Sequence, residues 1–150
     1  MRTGLLIGVS VLLAASLWTA PRRNLAASPL LAGAEVPVSV RAILERSCQD
    51  CHSGRTRYPW YSYVAPVSLL IGRDVRAGRE RLDLSNWSGY STVRQIRFLS
   101  EIANQVKERE MPLPIYTIMH RNARLSDAEI DAVFRWTQAE RLRILTAGAQ

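Results

Sequence analysis

Apolar positions recur along most of this chain at the three-to-four-residue spacing of helices. No stretch shows a convincing strand pattern. The first apolar run, Leu5 to Ala20, differs from the rest because it is not amphipathic. From Val38 to Gln49 the pattern predicts a helix, with Val40, Ile43, Leu44 and Ser47 on one face. Pro66 suits a first helical position, and a second helix is expected through Leu69, Leu70, Ile71 and Val75 to about Arg81. Leu82 to Ser91 reads as a loop. Ser91 or Thr92 then opens a third helix, with Val93, Ile96, Leu99, Ile102, Ala103 and Val106 as its stripe. Met111-Pro112-Leu113-Pro114 breaks that helix, and a short segment, Ile115 to His120, follows. Ser126 and Glu129 have the spacing of a capping box. They start a last helix to about Leu145 that buries Ile130, Val133, Phe134 and Thr137, with Trp136 nearby. The expected architecture is all-α, with four or so helices.

Arg2 precedes the apolar run, giving a positive n-region and an h-region, the pattern of an export signal. Residues 1–23 are therefore expected to be a signal peptide or a membrane anchor. Ala32-Gly33-Ala34 offers a small-residue cleavage site but lies well beyond the run. Retention as an anchor is favoured, although Arg22 and Arg23 would then oppose the positive-inside tendency. Residues 24–37, rich in Ala, Ser, Gly and Pro, read as a linker, and residues 38–147 as one domain.

The net charge is +7, carried mainly by arginine. Arg41, Arg46, Arg73, Arg76, Arg94, Arg97, Arg121, Arg135 and Arg143 are scattered over several expected helices. Solvated helix surfaces explain such a pattern better than a nucleic-acid interface, which calls for a dense basic patch.

Both cysteines and one of the two histidines fall within five residues, Cys48-Gln49-Asp50-Cys51-His52. Thiols three positions apart, followed by an imidazole, suit covalent attachment of one haem c. Each sulfur adds to a porphyrin vinyl group and the histidine ligates iron. A local disulfide would leave His52 unexplained. A thioredoxin-like pair wants a βαβ setting, and a zinc site would have only His120 as a distant fourth ligand. The loop after His52 is dense in aromatics, and Tyr58, Trp60 and Tyr61 are expected to line the haem. For the second axial position the choice is Met111, with His120 as alternative. Met111 precedes a proline and leaves a full terminal helix behind it. That layout resembles the small class I cytochromes c. A thioether ligand raises the potential, whereas a second histidine would lower it relative to Met/His.

The chain also resembles a bacterial family, the haem-binding domain family, over about residues 40 to 140. The likeness rests on Cys48-Gln49-Asp50-Cys51-His52-Ser53, Tyr58-Pro59-Trp60-Tyr61-Ser62 and Ala65-Pro66-Val67-Ser68. It continues through Asp74-Val75, Gly78-Arg79, Ser85, Trp87, Met111-Pro112, Tyr116, His120, Leu125-Ser126, Glu129 and Trp136. Leu69, Leu84 and Glu110 depart from the family's habit. The resemblance implies a haem site more than a reaction. The expected role is an exported one-electron carrier, periplasmic or tethered to the inner membrane through its N-terminus. It would serve a redox partner protein, and no catalysis of its own is expected. The alternative is a peroxidase-associated haem enzyme or sensor with an open or displaceable sixth site, for which His120, Arg121 and Arg124 are the suggestive distal groups.

Overall fold

The computed structural model describes residues 2–21 and 28–148. Arg22, Arg23 and the first part of the expected linker lie outside these. Among the described residues there are seven α-helices: α1 (Arg2–Thr19), α2 (Val38–Ser47), α3 (Gln49–His52), α4 (Val67–Arg81), α5 (Thr92–Lys107), α6 (Pro114–Met119) and α7 (Asp127–Ala147). Short 3₁₀ turns occupy Trp60–Tyr63, Leu84–Gly89 and Arg121–Ala123, and there is no strand among the described residues. The all-α expectation holds. The helix count rises because α3 and α6 are too short to leave a periodic trace in the sequence.

The core lies between α5, α7 and α2. Val40, Ile43, Leu44 and Ser47 are all buried, so the pattern reads α2 correctly. On α5, Leu99, Ala103 and Val106 are buried and Ile96 and Ile102 are half-buried. The inner face also carries Phe98, whereas Val93 is exposed, so the stripe begins one turn later than the sequence suggests. Phe98 packs edge-on against Tyr90, their ring centroids 4.9 Å apart. Trp87 and Leu84 close the core from the turn before α5. The capping box forms in full at α7: Ser126 Oγ accepts from the Glu129 backbone N–H, and Glu129 accepts from the Ser126 N–H.

Of the expected linker, residues 28–37 are described. Leu30 and Leu31 are buried in the core. The Leu31 N–H donates to the Leu84 carbonyl, and Trp136 Nε1 donates to the Glu35 carbonyl at 2.9 Å. Two adjacent leucines among small residues gave no periodic signal, yet their burial makes this segment part of the domain.

Helix α1 meets the domain at its C-terminal end. The Ala65 N–H donates to Ser16 Oγ at 3.1 Å, and Thr19 and Ser68 share a hydroxyl hydrogen bond of 2.6 Å. At 18 residues α1 is about 27 Å long. Among the described residues no helix is long and apolar enough to cross a membrane.

Glu129 also receives Arg46 at 2.7 Å. The Ser126 backbone N–H and the Arg46 guanidinium hold its carboxyl below the usual range. A carboxyl depressed in the folded state stabilises above its unfolded pKa, and that stabilisation is lost as pH falls through the folded value. Glu129→Gln is therefore expected to lower the melting temperature near neutrality. The gap from wild type should close in acid, measured by thermal unfolding across pH.

Candidate haem site

The site begins where α2 ends. Ser47 closes α2, Cys48 intervenes, and α3 carries Cys51 and His52. The loop after His52 is pinned on both sides. The Gly54 N–H donates to Ser85 Oγ, and Arg79 donates to the Ser53 carbonyl and to Thr56 Oγ1, each at 2.7 Å. Helix α4 crosses α3 at Gly78. A Cβ there would lie 2.8 Å from the Cys51 carbonyl oxygen, so glycine is what lets the two backbones meet.

These elements enclose a cavity of about 260 Å³. Cys48, Cys51 and His52 form one wall. Asp74, Ala77, Gly78 and Arg81 of α4 form a second, and Glu101, Ile102, Gln105 and Val106 of α5 a third. Leu44, Leu82, Leu84 and Leu125 add apolar surface, and Met111, Pro112, Leu113 and Tyr116 close the remaining side. The volume is below the roughly 300–1,000 Å³ of pockets that engulf a ligand, so a larger group seated here would stay partly at the surface.

His52 is fixed in orientation. Its Nδ1–H donates to the Leu82 carbonyl at 3.0 Å, so Nε2 is the nitrogen available to a metal. The cysteines are not disulfide-bonded. Removal from water, with the neighbouring Cys51, pushes Cys48 up to about 12. Burial, then Asp50 and Asp74, push Cys51 up to about 11. Both are neutral thiols at pH 7, the opposite of the lowered pKa that a disulfide-exchange pair needs. No group of three or more His, Cys, Asp or Glu among the described residues could hold a metal ion by itself.

Met111 reaches the cavity because α5 ends in a sharp reversal. Arg109 adopts a left-handed backbone, φ 56°. The Glu110 and Met111 N–H groups both donate back to the Gln105 carbonyl. This resembles the left-handed caps that glycine usually supplies. It returns the chain toward α3, and Pro114 at the start of α6 stops it from continuing.

Four residues expected at the site lie off this cavity. Tyr58, Trp60 and Tyr61 are not on the cavity wall, and Trp60 is 78% exposed. The physical reason is the pinned loop, which carries the chain around the far side of α3. His120 is also off the cavity. It faces a separate, open groove with Arg46, Arg57, Tyr58 and Tyr116. There it stacks on Tyr116, ring centroids 4.3 Å apart, and shares a 2.8 Å hydrogen bond with Tyr61. Asp50 anchors this side: buried, it accepts from the Arg57 N–H and Nε and from Tyr116 OH at 2.8 Å. Burial and Asp50 push the Tyr116 phenol up, so it stays a donor.

A model of the family described as a haem-binding domain matches residues 9–139. The chain belongs to the haem-binding domain family. It is a haem-binding protein. The cavity lined by Cys48, Cys51, His52 and Met111 offers an apolar slot, an oriented imidazole and a soft thioether. No curated protein and no solved structure matches the chain. Sequence reasoning missed the contribution of α4 to this haem-binding domain's cavity. Gly78 was the available signal, since a glycine inside a helix often marks a close backbone approach.

Proposed function

We propose that the chain is an exported c-type protein that carries one covalent haem and works as a one-electron carrier. Cys48 and Cys51 would hold the porphyrin through thioether bonds, and His52 Nε2 and Met111 Sδ would ligate its iron. The group supplies an iron that cycles between two oxidation states. The chain supplies the rest. Leu82 keeps the imidazole in the ligating tautomer. The leucine-rich walls exclude water, and the Arg109 reversal presents the thioether.

The observation that carries this reading is Met111 on the same cavity as Cys48, Cys51 and His52. His120, Arg121 and Arg124, the distal groups a peroxidase reading needs, are not on that cavity. An apolar site whose own side chains would ligate the iron favours electron transfer over substrate binding. Export is proposed from the n-region and apolar run of residues 1–23.

The test is the absorption spectrum of protein matured with the c-haem assembly machinery. A low-spin six-coordinate ferrous spectrum, unmoved by carbon monoxide, is expected. A high-spin spectrum that shifts with carbon monoxide or peroxide would replace this reading with a haem enzyme or sensor.

A further inference from the structure

Helix α1 exposes apolar side chains in every direction. Leu5, Leu6 and Ile7 are consecutive, so they point about 100° apart, and all three are exposed, as are Leu17 (81%) and Trp18 (91%). A groove on a partner protein covers one face of a helix. A helix apolar all round is buried in a large protein core or in a membrane, and a lipid phase covers every face at once.

The apolar surface does not stop at Thr19. The hydrogen bonds of Ser16 to Ala65 and of Thr19 to Ser68 set the end of α1 against the turn at Trp60–Tyr63 and the start of α4. There Trp60, Val67, Leu69 (58%) and Leu70 are also exposed. Continuing along α4 from Leu69, the same face carries Arg73 and Arg76, both exposed, one and two turns farther on. Apolar anchors, a tryptophan and then arginines is the order in which a bilayer presents hydrocarbon, interface and anionic headgroups.

We propose that the domain rests on a lipid bilayer through a shoulder formed by Trp60, Val67, Leu69 and Leu70, with α1 in the hydrocarbon below it. The shoulder makes up for the shortness of α1, about 27 Å against the roughly 30 Å hydrocarbon core. It also fixes the orientation of the cavity. Leu70 and Ala77 lie on one stripe of α4, seven residues apart, so the cavity begins about 10 Å from the membrane face. The proposal does not depend on the haem assignment.

The test uses the full chain in phosphatidylcholine–phosphatidylglycerol vesicles. Nitroxide labels are placed on Trp60→Cys and Leu69→Cys, with exposed Val93→Cys as control. The parent chain, treated in parallel, subtracts any label on Cys48 and Cys51. Labels at 60 and 69 are expected to collide more with oxygen than with a water-soluble nickel complex, and the control to show the reverse. If both behave like the control, the domain floats free of the bilayer and the proposal fails. If they are shielded from both reagents and the protein elutes as a dimer, a second copy covers the shoulder and the proposal also fails.

Discussion

Replacing Met111 with alanine is expected to turn a low-spin iron high-spin and to lower its reduction potential. Alanine leaves the reversal at Arg109 and the two prolines intact, so the loop keeps its course. What it removes is the only sulfur on the cavity wall besides the two cysteines. His120 is not a ready replacement, because it lies in the separate groove with its Nε2 hydrogen-bonded to Tyr61. A soft thioether favours reduced iron, so its loss moves the potential down. The near-infrared sulfur–iron charge-transfer band reads the change directly. Its disappearance in Met111→Ala, together with carbon monoxide binding to the reduced protein, is the expected outcome. A band that persists would rule out Met111 as the ligand.

The second large effect is expected at Gly78. Valine there places a Cβ 2.8 Å from the Cys51 carbonyl oxygen and 3.2 Å from its carbonyl carbon. The obstacle is backbone, not the end of a flexible side chain, so α4 must move away from α3. Overpacking of this kind costs about 1–3 kcal/mol, or roughly 4–12 °C in Tm for a domain of this size. Because Gly78 also lines the cavity, the displaced helix should lower haem occupancy as well as stability. Gly72, on the same helix with open space around it, is the control: Gly72→Ala should leave haem content unchanged. Equal Tm values for wild type and Gly78→Val, by circular dichroism, would contradict the close approach.

The elements that the hydropathy pattern reveals are those whose periodicity is set by one continuous core. Helix α2 buries what its spacing marks, α5 and α7 bury most of it, with Val93 exposed and Phe134 half-buried, and the α7 start is legible because a capping box is a local motif. Leu30 and Leu31 escaped because their burial depends on a partner far along the chain, the Leu84 carbonyl and the turn around it. The candidate site divides the same way. Cys48, Cys51, His52 and Met111 were legible because their chemistry narrows what they can do. The aromatic loop was misplaced because adjacency to His52 in sequence says nothing about direction, and Arg79 and Ser85 decide that direction from a distance. Leu69 and Leu70 fit a helical pattern without being core. Periodicity marks an apolar face and leaves open what covers it.

The central claim is that haem is bonded to this chain through Cys48 and Cys51. It is tested by the mass of the denatured polypeptide after maturation with the c-haem assembly machinery and extraction of free haem in acid and organic solvent. The account predicts one chain plus one haem, a single Cys48→Ala or Cys51→Ala change leaving one thioether, and the double change leaving none. A bare polypeptide mass from a protein that was red before extraction would show haem held without covalent bonds, and would contradict it.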